Sequence, residues 1–87
     1  MLKIAIQMDP IEAVDVNADT TFDMALEAFG RGHEIFVYAA QSLQLNVGEV
    51  HARAQRVEKI ARKQGEHVTL SAPMLLDLRN VDVVLIR

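Results

Sequence analysis
Residues 8–22 read MDPIEAVDVNADTTF, and the segments on either side take their meaning from this stretch. Before it, Leu2, Ile4 and Ile6 alternate with Lys3, Ala5 and Gln7, the period-two pattern of a strand over about Leu2–Gln7. After it, Phe22, Ala25 or Leu26, and Phe29 recur at helical spacing, with Thr20 or Asp19 placed to cap the helix and Asp23 suited to its positive end. Strand, loop and helix in that order form the first half of a βαβ unit. In open α/β sheets the ligand lies beyond the carboxyl ends of the strands, which is where this loop sits. The loop exceeds the roughly two to six residues usual for such connections, and loops of that kind are functional or disordered. Ile11, Val14 and Val16 between its acids argue for order.

Composition narrows the possibilities. At 87 residues there is room for one domain, which buries only about 60% of its unfolded surface. The chain is 51% hydrophobic and 24% charged, the balance of a soluble globular protein. No apolar run approaches the ~18 residues of a membrane span, and the amino terminus lacks the layout of a secretory signal. The absence of cysteine excludes disulfides and thiolate metal sites, and it fits a cytoplasmic protein. The net charge of −3 gives no reason to expect nucleic acid. Charge is unevenly spread, however. Met8–Asp23 carries five acids and no base, whereas His51–Lys63 carries five bases against Glu58 alone. That basic stretch reads as a solvated face, since no aromatic residue stands in it to stack on bases.

Further along, Gly32 suits the left-handed residue that ends a helix, and Glu27 and Arg31 are spaced for an i,i+4 pair. His33–Ala39 is a second strand, apolar enough to be covered on both faces and parallel to the first. From Leu43 to Val57 the apolar residues alternate around a turn at Asn46-Val47-Gly48-Glu49, as in a hairpin. Glu49–Gln64 is also rich in helix formers, and periodicity alone does not separate the two. Val68-Thr69-Leu70 makes a short strand, and Pro73 opens a helical turn through Met74, Leu75 and Leu78. Val81–Ile86 is an almost unbroken apolar run, as expected of a central parallel strand.

Chemistry is confined to few places. Asp9-Pro10-Ile11 stands where a dinucleotide-binding strand would need its glycines, and no P-loop occurs. Neither Ser42 nor Ser71 lies in a nucleophile motif, and His33, His51 and His67 read as surface or strand-end residues without chelating spacing. No catalytic residue and no metal ligand is assigned. The candidate site is the acidic loop with Met8, Asp9, Asp15, Asn17, Asp19 and Thr21, joined by Arg87 at the carboxyl end of the last strand. Acids there suit a ligand with a positive group, and a guanidinium grips a carboxylate or phosphate bidentately. Asp15, Asn17 and Asp19 are equally the residues that loops use to bond their own backbone.

Met-Asp-Pro-Ile closing a first strand, then Asp-Thr-Thr-Phe opening a helix, resembles the start of bacterial glutathione synthetases, which read MDPI and then D-S-S-F or D-S-T-F. Thr20 departs mildly from the usual Ser. Leu26-Glu27-Ala28, Arg31-Gly32-His33-Glu34, Val47-Gly48-Glu49 and Val81–Arg87 extend the likeness along the whole chain, which corresponds to the amino-terminal part of that enzyme. The resemblance implies a small Rossmann-like pre-ATP-grasp α/β domain, with a parallel sheet and an appended β-hairpin, and the hairpin is therefore the expectation for the ambiguous middle. It also implies a ligase that joins γ-glutamylcysteine to glycine through an acyl phosphate. ATP and magnesium would be bound by lobes beyond Arg87, with the dipeptide walled in by the seven candidate residues. A homo-oligomer is expected. In that family an Asp-Pro-Pro-Phe-Asp loop follows the strand that ends here, so the chain is expected to be one segment of a longer enzyme. Two other readings remain: a free-standing α/β binding or dimerisation module, and the first domain of a different ATP-grasp ligase.

Overall fold
The computed structural model describes residues 1–87. Strand β1 (Lys3–Gln7) leads through a 3-10 turn at Ile11–Ala13 into helix α1 (Thr20–Gly30), and β2 (Glu34–Tyr38) follows. A second 3-10 turn precedes β3 (Leu43–Asn46) and the long β4 (Glu49–Ile60). Then come β5 (Val68–Leu70), β6 (Met74–Asp77), a 3-10 turn at Leu78–Asn80, and β7 (Val83–Ile86). β1 pairs in parallel with β2 and β7, while every pairing of β4, with β2, β3, β5 and β6, is antiparallel. The sheet is thus mixed rather than parallel: a three-stranded parallel unit joined through β2 to an antiparallel arm. The hairpin expected over Leu43–Val57 is present, and its return strand runs on to Ile60.

Alternation along the strands divides the core. Ile4, Ile6, Ile35, Val37 and Val57 face α1, whose Phe22 and Ala25 are fully buried against them. Ala5, Phe36, Tyr38, Ala52, Ala54 and Leu76 form a second cluster on the opposite face. No helix covers that face. The curled arm closes it instead, with Leu43, Leu78 and Val81 packed at its rim.

Local chemistry sets the helix ends. Asp19, rather than Thr20, is the N-cap, and its Oδ1 accepts from Phe22 N at 2.8 Å. At the other end His33 N reaches Ala28 O and Gly32 N reaches Phe29 O, with Gly32 at φ +86°, the paired bonds of a Schellman stop. The Glu27–Arg31 pair forms at 3.2 Å with both side chains exposed, so it contributes little.

Two expectations fail. Met74–Asp77 is a strand, not a helical turn, because it adds to the free edge of β4 with Ala52 opposite Leu76. Pro73 lies just before it, where no ladder bond is needed. β7 is parallel as expected but is the outermost strand on its side of the sheet, and Ile86 is 71% exposed.

The loop after β1 is ordered. Ile11, Val14 and Val16 are buried, and the turn between β4 and β5 grips their backbone. Gln64 Nε2 donates to Val14 O and its Oε1 accepts from Val16 N, both at 3.0 Å. Arg62 donates to Val16 O, pairs with Asp23, and lies 5.6 Å from the Phe22 ring centroid. His67, expected at the surface or at a strand end, stands immediately before β5 but is 3% exposed, and its Nε2 lies 2.7 Å from Ile11 O. That contact places a hydrogen on Nε2, and the buried Nδ1 has no hydrogen-bond partner.

The β3–β4 turn has its own clamp. Arg79 grips Asp77 through Nε and Nη2, at 3.0 and 2.7 Å, and donates from Nη1 to Gly48 O.

Removal of the clasp should be costly. His67→Ala leaves a void and removes the ring's bond to Ile11 O, and is expected to lose about 2–4 kcal/mol. Gln64→Ala, losing two hydrogen bonds, is expected to lose about 1–2 kcal/mol. Urea unfolding of the domain measures both.

A second expectation concerns acid. The Arg79 guanidinium holds the Asp77 carboxyl below its ordinary 3.8, at about 2. A depressed carboxyl stabilises the fold above its unfolded value, and that stability is lost as pH falls through the folded one. Exchange of the paired amides of the β3–β4 hairpin should therefore accelerate as pH drops from 3.8 towards 2, relative to the rest of the sheet. In Asp77→Asn the exchange should already be fast above that range.

Candidate functional site
The carboxyl ends of β1 and β2 and the flank of β4 enclose a cavity of about 250 Å³. Met8, Ile11 and Val37 form its apolar floor. Asp9 and Glu12 enter from the loop, and Ser42, Arg53 and Gln55 from the arm. Period two places Gln55 and Arg53 on the same face as the buried Val57, towards the loop. Gln55 is tied down by a 3.0 Å bond from Nε2 to Ser71 O, and Ser42 Oγ bonds Ala39 O and Arg53 O. Tyr38 also lines the cavity, and burial pushes its phenol up, so the group is neutral at physiological pH.

Of the candidate residues, Met8 and Asp9 line this cavity, and the other five gather across β1 at the amino end of α1. Asp15 Oδ1 accepts from Asn17 N at 2.9 Å, and Asp19 caps the helix. Arg87 extends the β7 ladder by donating from its backbone N to Gln7 O. Its side chain turns back to Thr21 Oγ1 at 3.0 Å and Thr20 Oγ1 at 3.3 Å. The guanidinium has no carboxylate partner, so its charge is offset only by neutral hydroxyls. Seven residues chosen from one loop and one strand end thus lie along a single edge of the sheet, in two groups.

Sequence reasoning missed Glu12, Ser42, Arg53 and Gln55. The signal for Arg53 lay in its parity with Val57, legible only once β4 is known to be a strand. The basic stretch is not uniformly solvated either. Arg56 approaches Glu34 and Glu58, Arg62 holds the loop, and Arg53 faces the cavity.

No loop carries the glycines of a phosphate cradle, and no group of three or more His, Asp or Glu side chains converges as metal ligands. No helix is long and apolar enough to cross a membrane.

A mixed, curled sheet with one covering helix and a polar cleft beyond its parallel strands defines a small α/β domain. The comparison with known proteins gives that domain its family. Residues 2–87 match the prokaryotic glutathione synthetase N-terminal domain, and the chain belongs to that family. It is 44% identical over 86 residues to a glutathione synthetase of Brucella melitensis, covering 99% of this chain and 27% of the relative. Over 86 residues it is 42% identical to that of Rhodopseudomonas palustris, and over 87 it is 33% identical to that of Yersinia pestis. The chain spans about a quarter of the length of these relatives.

Since Asp19 caps α1, Asp19→Ala should destabilise the domain by about 1 kcal/mol, whereas Asp19→Asn, which retains a capping oxygen, should be nearly neutral. Thermal melts of the two variants separate capping from charge.

Proposed function
We propose that this chain is the amino-terminal, Rossmann-like pre-ATP-grasp domain of a cytoplasmic, homo-oligomeric glutathione synthetase. The whole enzyme joins γ-glutamylcysteine to glycine at the expense of ATP. The match to the family's amino-terminal domain across residues 2–87 carries this reading. On this reading ATP and magnesium are bound by other segments of the whole enzyme.

The domain's own task is to wall the dipeptide site with Met8, Asp9, Asp15, Asn17, Asp19, Thr21 and Arg87. γ-Glutamylcysteine carries one ammonium and two carboxylates. The acidic loop offers negative charge to the ammonium, directly or through water. Arg87 offers a guanidinium to a carboxylate or to charge developing there. Thr20 and Thr21 hold that guanidinium at the sheet edge, which lowers the entropy lost when it grips a ligand.

The test is kinetic. The full-length protein should form the γ-glutamylcysteinyl–glycine amide with ATP, and the 87-residue chain alone should neither catalyse this nor give heat with ATP and magnesium. Asp15→Asn, Asp19→Asn and Arg87→Gln should raise the KM for the dipeptide roughly ten- to a hundredfold while that for ATP stays unchanged. Wild-type kinetics in all three variants would remove these residues from the site. Absence of ligation by the full-length protein would remove the function.

A further inference from the structure
We infer that the cavity between the loop and the arm seats the dipolar end of an α-amino acid, with Arg53 on its carboxylate and Asp9 and Glu12 on its ammonium. This rests on reading the sheet edge as the dipeptide site, and it assigns the end of the dipeptide that lies there.

The observation behind it is an accounting of charge. Of the six arginines, five have guanidiniums that hold a carboxylate, a carbonyl or a hydroxyl. Arg53 alone holds none. Of the twelve acids, ten accept from a backbone N–H or lie within 4.0 Å of a basic side chain. The two that do neither are Asp9 and Glu12. These three side chains, unpartnered elsewhere and unpaired with one another, line one cavity.

Such a cavity discriminates by charge pattern. A simple anion meets two carboxylates, and a simple cation meets a guanidinium. A ligand with both charges on one carbon satisfies all three groups. The planar fork of Arg53 matches a carboxylate, and two acids together suit an ammonium with three donors. The apolar floor of Met8, Ile11 and Val37 strengthens these contacts by displacing water. At about 250 Å³ the cavity falls below the roughly 300–1,000 Å³ that encloses a whole drug-sized ligand, so it suits one end of a longer one. In γ-glutamylcysteine only the glutamyl end carries an ammonium and a carboxylate on the same carbon. That end therefore occupies the cavity, and the cysteinyl carboxylate is left outside it, towards Arg87.

The experiment is a cycle of variants and ligands on the full-length protein, read by calorimetry. The ligands are γ-glutamylcysteine, its glutamyl α-carboxamide, and glutarylcysteine, which lacks the ammonium. Arg53→Gln should weaken the dipeptide roughly ten- to a hundredfold but change the carboxamide by less than about threefold. The double variant Asp9→Asn/Glu12→Gln should do the same to the dipeptide while sparing glutarylcysteine. All these side chains are exposed, so unchanged melting temperatures are expected. If Arg53→Gln weakens dipeptide and carboxamide equally, or neither, Arg53 only screens its neighbours and the inference is overturned. Dipeptide binding that is indifferent to Arg53 overturns this assignment alone. No dipeptide binding by the unsubstituted protein overturns the functional reading together with it.

Discussion
The site depends on the grip of three side chains, Arg62, Gln64 and His67, on the backbone of the loop that follows β1. That loop has two short turns of its own, at Ile11–Ala13 and Asp15–Asp19, but these are local and its acids repel one another, so they do not fix how it lies against the sheet. Without the clasp, the carbonyl oxygens of Val14 and Val16 would lose their donors, and Ile11 O would keep only the Val14 N–H. With it, the apolar residues point down into the core and the acids are left at the surface. Asp9 and Glu12 owe their place beside the cavity to this anchoring.

The clasp is in turn delivered by β4. At about 3.3 Å per residue its 12 residues span roughly 40 Å, close to the 41 Å longest dimension of the molecule. One end carries the outer hairpin, the middle presents Arg53 and Gln55 to the cavity, and the far end turns into the clasp. Alanines 5, 52 and 54 are almost fully buried on the face without a helix. Small side chains there let the sheet curl onto itself, and Phe36 and Tyr38 fill the space a covering helix would otherwise take.

Much of this was legible in the sequence, for identifiable reasons. β1, α1 and β2 declared themselves because a buried face imposes a period, and Gly32 marked the stop by its conformational freedom. The acidic loop was recognised as ordered because Ile11, Val14 and Val16 have no business in a solvated connection. What could not be read was set by pairing over long separations. Met74–Asp77 looks like a helical turn in isolation and becomes a strand only because β4 has an edge to fill. Val81–Ile86 is apolar enough for a central strand, yet its place in the order depends on which neighbours pair with it. His67 carries no local sign of burial, since its partner carbonyl at Ile11 is 56 residues away. The candidate residues read from the sequence lie along one edge of the sheet, but the reading did not include Arg53, because Arg53 belongs to a strand that periodicity could not tell from a helix.

The separation across the clasp also bears on how the domain acquires its shape. The contacts that fix the loop join residues 46 to 56 positions apart, so they close only after most of the chain is available. During vectorial synthesis β1, α1 and β2 can associate through near-neighbour contacts well before Gln64 and His67 have emerged. Contacts of long sequence separation are slow to form because the entropy of closing the intervening chain must be met first. The β1–α1–β2 unit is thus early while the clasp and β7 are late, and an incompletely synthesised domain would have a nascent sheet but no cleft.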